Sequence, residues 1–420
     1  MVSLEKKKLL VLINDSFPFK PGETFLETEI KYYNKFDKVL IYPFPSGPDN
    51  ETSFTFDANV EIIKNKKENH IFKKLFNGMA ALLNREVIRE IVYLNKINKL
   101  NLTTIKVLIS FISNGNFYFK ELLSNISNIP NKNEYDIYIY SYWMHIPSYI
   151  AILLKKNLMN SNKCFVITRN HRFDLYEDLH VYEYIPMRQY IINNMEKIYC
   201  ISDDALSYLI SKYPEHLDKF EVSRLGTRDF GLSKDFKRSH IFRIVSCSWV
   251  RPVKRVSKIL DALIELNIPI EWTHIGDGEL LEEIKQRAKK IEKSNIKCIF
   301  KGALENKDIL NKYKDNQYDV FINVSESEGV PVSIMEAISF GIPVIGTDVG
   351  GTKEIVIDGL NGYLLPKNFS TSELARKIEF LFNMDTQSYI KMRNNSRELW
   401  EEKYNADMSY SKFIDKLISN

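Results

Sequence analysis

Apolar positions along this chain alternate between two spacings. Short, nearly unbroken apolar runs occur at Leu9–Ile13, Val39–Tyr42, Val60–Ile63, Asp136–Tyr140, Cys164–Thr168, Ile198–Ser202 and Glu221–Leu225. A second series follows at Phe242–Ser248, Glu271–Ile275, Lys297–Phe300, Asp319–Val324 and Val344–Ile345. Runs of this length and composition read as strands, and the longer ones as strands covered on both faces. Helical spacing predicts helices over Glu23–Tyr33, Val256–Leu266, Glu279–Ile291 and Asn306–Tyr313, and at the end over Ser388–Trp400 and Ala406–Ile418; the region to Ser127 also reads as helical. Strand–helix alternation in both halves predicts an α/β protein with two parallel-sheet domains. The polar stretch Leu232–Ser239 reads as the linker. It separates a first domain, 1–231, from a second, 240–385, with terminal helices over 386–420.

The densest chemistry lies between Val320 and Leu365. A strand, Val320–Val324, runs into the polar loop Ser325–Gly329, and Pro331 then opens a helix. Proline suits a first helical position, whose N–H has no intrahelical partner. Val332, Met335, Glu336, Ser339 and Phe340 follow at helical spacing, and Gly341 stops the helix. Gly329 lets a ligand approach the backbone closely. The loop and the helix tip offer N–H groups and a partial positive charge, a seat for a phosphate. Glu328 and Glu336 flank that seat and can accept hydrogen bonds from hydroxyls. The residues alone therefore point to a nucleotide or sugar-phosphate site.

Composition narrows this only a little. The chain has 420 residues, long for one core, with 44% hydrophobic and 27% charged residues and a net charge of +4. That charge is too small to indicate nucleic acid, and it suits anionic substrates or an anionic membrane surface. No apolar run is long enough to span a bilayer, and the start of the chain reads as a first strand and not a signal peptide. Cys164, Cys200, Cys247 and Cys298 stand alone in apolar runs, as core residues, which points to a cytosolic address. No metal-ligand spacing and no Asp-x-Asp occurs. The stretch Lys64–Lys74 is basic, with Phe72, Leu75, Phe76, Met79, Leu82 and Leu83 interleaved from there on. It reads either as an amphipathic surface for a membrane or lipid-linked acceptor, or as a solvated helix with one buried face.

Glu328 and Glu336 are spaced as Glu-x7-Glu. They sit in order with Ser325, Gly329, Ala337, Gly341-Ile-Pro-Val, Gly350-Gly351, Glu354, Asp358-Gly359 and Asn361-Gly362. This framework resembles the retaining glycosyltransferases of family 4. The resemblance implies a GT-B architecture: two Rossmann-like domains facing across a cleft, with the C-terminal helix crossing back to the N-terminal domain. It implies transfer of a sugar from a nucleotide-diphosphate donor, UDP- or GDP-linked, with retention and without a metal or other cofactor. In that pattern Glu328 orients the donor sugar, Glu336 holds the ribose hydroxyls, and Gly329, Val330, Pro331 and Val332 face the diphosphate. Ser246-Cys-Ser-Trp-Val-Arg-Pro-Val-Lys-Arg aligns with the family's phosphate loop, with Lys254 on its lysine and Trp249 where its arginine stands. Either Arg251 or Arg255 could replace that charge, or both could be surface residues. Gly302 and Leu304 fall where relatives hold the nucleobase, and Gly276 and Gly278 read as serving backbone geometry.

His171 and Asp174, in an H-x-x-D pattern after a strand, resemble the family's first-domain histidine near the reacting sugar. His145 also follows a strand and reads as structural. Gly22, Glu23 and Thr24 lie in a first loop that resembles a cleft-facing loop or is a plain surface turn. The expected partners are a nucleotide-sugar donor, a glycan or lipid-linked acceptor and a cytoplasmic membrane surface, in cell-surface polysaccharide synthesis. Two other readings stay open: a nucleotide-sugar-binding partner without catalysis, and a nucleotide-sugar epimerase.

Overall fold

The computed structural model describes residues 6–19, 23–44, 54–63, 84–158, 163–180, 182–232, 236–291 and 295–419. The chain forms two compact units, one of residues 1–223 with 410–420 and the other of residues 224–409.

The first unit is built on a seven-stranded sheet: β1 (Lys7–Asn14), β2 (Lys38–Pro43), β3 (Val60–Ile62), β4 (Tyr135–Ser141), β5 (Cys164–Asn170), β6 (Lys197–Cys200) and β7 (Phe220–Val222). Every pairing is parallel, in the order β3-β2-β1-β4-β5-β6-β7. Leu9, Val11 and Ile13 pack into the core on one face, with helix Ile146–Leu158 and the long helix Leu102–Ser127. Leu10 and Leu12 enter the core on the other face. This two-sided burial is why β1 reads as a continuous apolar run. The last helix, Ala406–Ser419, supplies Phe413, Ile414 and Leu417 to that second face, and its residues from Tyr410 onward belong to the first unit.

The second unit repeats the plan with six parallel strands: β8 (Phe242–Cys247), β9 (Ile270–Ile275), β10 (Ile296–Phe300), β11 (Val320–Asn323), β12 (Val344–Thr347) and β13 (Gly362–Leu365), in the order β10-β9-β8-β11-β12-β13. In each unit the strand order reverses once, between β1 and β4 and between β8 and β11. Connections leave toward opposite faces there, opening a crevice beyond the strands' carboxyl ends, where open α/β sheets bind ligands.

Two sequence expectations move. The polar stretch Leu232–Ser239 is not where the units divide; the division falls after Ser223. Arg224 already pairs with Glu354 at 3.1 Å, and Thr227 bridges Asn405 while receiving the Trp400 Nε1–H at 2.7 Å. The helix Thr386–Lys403 belongs to the second unit, tied there by Tyr389 Oη on the Asp319 carbonyl at 2.6 Å and Arg393 on the Tyr318 carbonyl at 3.0 Å. The strand β13 and the helix Thr371–Asn383 were not separated from their surroundings by periodicity.

One buried ion pair anchors the first unit. Arg169, at the carboxyl end of β5, and Glu29 are both 0% exposed, and their side chains meet at 2.6 Å. The Arg169 guanidinium also lies 4.3 Å from the Phe413 ring of the terminal helix. Removing one member of such a pair leaves an uncompensated buried charge. Arg169→Ala should therefore destabilise the protein by about 3–5 kcal/mol in urea unfolding; a change under about 1 kcal/mol would show that the pair is not the anchor.

Candidate functional site

In the second unit, the loops after β8 and β11 flank the switch point. The chain leaves β8 through Ser248-Trp249-Val250 into a short turn, Pro252–Lys254, and leaves β11 through Val324 and Ser325 into the Glu-bearing loop. The two loops are joined by the Glu326 amide on the Val253 carbonyl at 2.8 Å. Lys254 Nζ then meets Glu328 Oε1 at 2.6 Å, and Asn323 Nδ2 approaches the same oxygen at 3.3 Å. Both side chains keep a small exposed fraction, 25% for Lys254 and 10% for Glu328.

Arg255 ties this geometry together. Its Nε donates to the Val324 carbonyl at 2.7 Å, Nη2 to Ser325 at 2.9 Å and Nη1 to Lys367 at 2.7 Å. Three of the five guanidinium N–H groups are thus spent on backbone carbonyls. Arg251 is exposed, 5.7 Å from the ring of Trp249, which is itself 60% exposed.

The Glu328–Gly329 backbone rests on a glycine pair. The Gly351 amide donates to the Gly329 carbonyl at 2.7 Å. A Cβ on Gly350, whose φ is +51°, would sit 2.0 Å from the Glu328 carbonyl. Glycine at this position is therefore required twice, by sterics and by a left-handed backbone. The helix begins at Val332, with Pro331 as its N-cap at φ −73° and ψ 109°, one place later than the sequence expectation. Among the described residues, no carbonyl takes the amides of Gly329, Val330, Val332 or Ser333. Val330 and Pro331 are buried, while Gly329 and Val332 are half-buried.

Glu336 lies one turn further along, 8% exposed, with Oε1 accepting from Asn306 Nδ2 at 2.6 Å. Burial pushes its carboxyl up to about 7, against the Asn306 bond that favours the anion. Gly302 takes a left-handed φ of +67° and carries its carbonyl to the Gly276 amide at 2.8 Å; Leu304 beyond it is half-buried. Gly276 and Gly278 serve the backbone, as expected: a Cβ on either would collide with the Ser248 or Val250 carbonyl. Asn323 and Asn306, which hold the two glutamates, were missed. Asn323 ends an apolar run and could have been noticed; nothing marks Asn306 in the sequence.

In the first unit, His171 follows β5 and is 8% exposed, its ring 4.6 Å from both Tyr142 and Trp143. Burial, with the Arg169 charge nearby, lowers it to about 3, so it is neutral at physiological pH. Its Nε2 is buried without a hydrogen-bond partner. Asp174 is 1% exposed and holds the loops together. Oδ1 accepts the His171 amide at 2.6 Å, Oδ2 accepts the Met144 amide, and the Asp174 carbonyl receives Arg188. It positions His171 and does not line a cleft.

Glu23 is corrected in the same way. At 3% exposure its carboxylate receives the amides of Asp15, Ser16 and Phe17 at 2.9, 2.7 and 2.6 Å, Asn14 Nδ2 at 2.9 Å and Trp143 Nε1 at 2.6 Å. These donors use up its acceptor capacity. Gly22 and the stretch 64–83 lie outside the described residues. Thr24 starts the helix Thr24–Glu29, and its side chain is also outside them. His145 accepts the Ile146 amide on Nδ1 at 2.7 Å, a structural bond.

Comparison with known proteins fits this geometry. Residues 234–399 match the family model described as glycosyl transferases group 1. The chain is 28% identical over 192 residues to the GtfA subunit of a UDP-N-acetylglucosamine–peptide N-acetylglucosaminyltransferase from Streptococcus agalactiae, covering 44% of this chain and 36% of that one. It is 24% identical over 285 residues to a poly(ribitol-phosphate) alpha-N-acetylglucosaminyltransferase from Staphylococcus aureus, covering 64% and 53%. The chain thus spans well under two thirds of the length of these curated relatives. Among solved structures, Anabaena HepE in complex with UDP superposes with a TM-score of 0.64 at 16% identity, over 98% of this chain and all of that one. The outer-core galactosyltransferase WaaB gives 0.65 at 13% identity over 98% and 99%. The chain has the GT-B fold, and its second unit is related to the glycosyl transferases group 1.

Proposed function

We propose that the protein transfers a sugar from a nucleotide-diphosphate donor to a hydroxyl of a glycan or lipid-linked acceptor, with retention at the anomeric carbon, in cell-surface polysaccharide synthesis. One observation carries this reading: Lys254 and Glu328 meet at 2.6 Å at the switch point of the second sheet, beside a helix tip whose amides have no carbonyl partner among the described residues. UDP in HepE supports a uridine donor.

The costly event is departure of the nucleotide diphosphate, and preorganised positive groups stabilise the charge that develops. Lys254 exchanges Glu328 for the leaving phosphate, and the amides of Gly329–Ser333 and the helix dipole complete the anion seat. Glu328, released, accepts hydroxyls of the donor sugar. Glu336 accepts those of the ribose. In the first unit His171 is neutral, and its Nε2 is a hydrogen-bonding group without a partner among the described residues. Exposed Trp249, in place of an arginine, favours a second reading: nucleotide-sugar binding without transfer.

Membrane contact fits the helix Arg85–Lys96. Val87 and Leu94 are buried, while Ile88 and Val92 are 50% and 63% exposed beside a row of exposed Arg85, Arg89 and Lys96. An apolar ridge next to a basic ridge suits an anionic lipid surface. No helix among the described residues is long and apolar enough to cross a membrane. The four cysteines are unpaired, in keeping with the cytoplasmic face.

Lys254→Ala should lower the transfer rate by about 10²–10³-fold while the protein stays folded. Rates equal to the parent in both Lys254→Ala and Glu328→Gln would refute the assignment, and donor binding without any turnover in the parent would favour the silent reading.

Glu336 gives a pH signature. Its folded value, about 7, lies above the 4.5 of a free glutamate, so its contribution to stability is present at low pH and lost as pH rises through about 7. Ribose hydroxyls favour the anion, so UDP should bind more tightly from about pH 5 to about pH 8, releasing a proton. Calorimetry in buffers of different ionisation enthalpy reads this. Glu336→Gln should abolish the proton release, weaken UDP binding and raise the melting temperature at high pH. Unchanged proton release would remove Glu336 from the donor site.

In flotation assays the parent should bind vesicles containing phosphatidylglycerol and not pure phosphatidylcholine, and Arg85→Glu with Arg89→Glu should abolish binding. Equal binding by that double variant would reject this face.

A further inference from the structure

The amino ends of β5, β6 and β7 carry a group of cations that the donor chemistry does not use. They lie at the opposite edge of the first sheet from His171, the length of β5 away, about 20 Å. The helix Ile146–Leu158 brings Lys155 and Lys156 there in its last turn. The helix Arg188–Asn194 ends there, before Met195 and Glu196 lead into β6, and Asp218 and Lys219 lead into β7. The three segments line a cleft of about 480 Å³. Its apolar lining is Ile152 and Met195, both buried.

The protein fixes each ammonium in place. Lys219 Nζ donates to the carbonyls of Ile192 and Asn193 at 3.0 and 2.7 Å, which closes the end of the helix Arg188–Asn194. Lys155 pairs with Glu196, whose other oxygen accepts the Val166 amide at 2.7 Å. Lys156 Nζ donates to Tyr190 Oη at 3.1 Å and lies 4.8 Å from that ring. An ammonium has three N–H groups. Each of these lysines therefore keeps at least one N–H without a partner among the described residues. Asn193 accepts from Gln189 on Oδ1 at 3.1 Å, which leaves its Nδ2 as a further donor at the cleft.

Helix capping accounts for Lys219 but not for its neighbours. Lys155 and Lys156 bond to Glu196 and Tyr190 and to no carbonyl of their own helix. The convergence carries a cost. Burial lowers the Lys155 ammonium below its usual range, with Cys164 opposing this and the Lys219 charge adding to it. Burial lowers Lys219 as well, against the Asp218 carboxylate. An anion among like charges relieves both effects. Of the carboxylates at the cleft, Glu196 already accepts from Lys155 and Val166, and Asp218 is exposed.

We propose that this cleft binds a phosphate monoester, with its oxygens on Lys155, Lys156, Lys219 and the Asn193 amide and its carbon portion on Ile152 and Met195. Charged donors arriving from three segments suit a compact dianion, and an apolar lining suits an ester over a bare ion. The site lies wholly in the first unit and does not depend on the donor reading. Its ligand is either a soluble ester or the headgroup of a phosphatidic acid.

Calorimetry on the full chain, at constant ionic strength and with excess UDP to fill the seat at Lys254, separates these sources. The probes are glucose 6-phosphate and short-chain dihexanoyl phosphatidic acid, with glucose and inorganic sulfate as controls. At least one ester should bind in the millimolar range or tighter, and glucose should not. Lys156→Ala should weaken that binding about tenfold, as the loss of one charge-assisted hydrogen bond implies, and Lys156→Arg should keep most of it. Lys155→Ala combined with Lys156→Ala should abolish it while UDP affinity stays at the parent value. Lys156 is exposed, so its replacement leaves the fold intact; a melting curve checks the double variant. Binding of glucose 6-phosphate assigns the site to soluble esters, and binding of the phosphatidic acid alone assigns it to a lipid headgroup. Absence of ester binding in the parent, sulfate binding as tightly as either ester, or undiminished binding in the double variant would overturn the proposal.

Discussion

A parallel sheet covered on both faces leaves a ligand only one way in, at the carboxyl ends of its strands, and only where neighbouring connections part. Both units of this chain obey that constraint. In the second unit the connections part between β8 and β11, and the loops after those strands carry Lys254 and Glu328. The ion pair they form is half-sheltered. It holds an ammonium in place beside a helix tip, so the positive charge is positioned before an anion arrives. A flexible surface lysine would have to be ordered at the moment of binding, at an entropic cost.

Holding that pair requires supports that are themselves unremarkable in sequence. Arg255 gathers three carbonyls from two segments and locks the loop after β11 against the turn after β8. Gly350 lets the chain pass within contact distance of the Glu328 backbone. Asn323 and Asn306 each steady one of the two glutamates. Glu336 shows the opposing tendency. It is buried with one hydrogen bond, and its raised protonation midpoint near 7 expresses an unfavourable placement for an anion. Placements of that kind persist where a ligand later supplies the missing partners. In the first unit Glu23 and Asp174 instead spend their carboxylates on backbone amides, which stiffens the loops around His171.

The alternation of strands and helices was legible because burial on both faces forces continuous apolar runs, as in β1 and β11. Glu328 and Lys254 were singled out through the family pattern they resemble, and the fold brings their side chains together at 2.6 Å. The backbone partners of Glu23, Asp174 and Arg255 were not legible. A carboxylate that faces a ligand and one that caps a loop are the same letter, and only the positions of the amides tell them apart. The unit boundary was misplaced for a related reason: Arg224 and Thr227 bond to Glu354 and Trp400, more than a hundred residues away, and no local composition reports that.

The most direct measurement is a crystal structure of the protein soaked with UDP. The account places the diphosphate against Lys254 Nζ and the amides of Gly329–Ser333, with Lys254 drawn off Glu328 and the ribose hydroxyls on Glu336. A nucleotide bound elsewhere, with the Lys254–Glu328 contact of 2.6 Å intact, would contradict it.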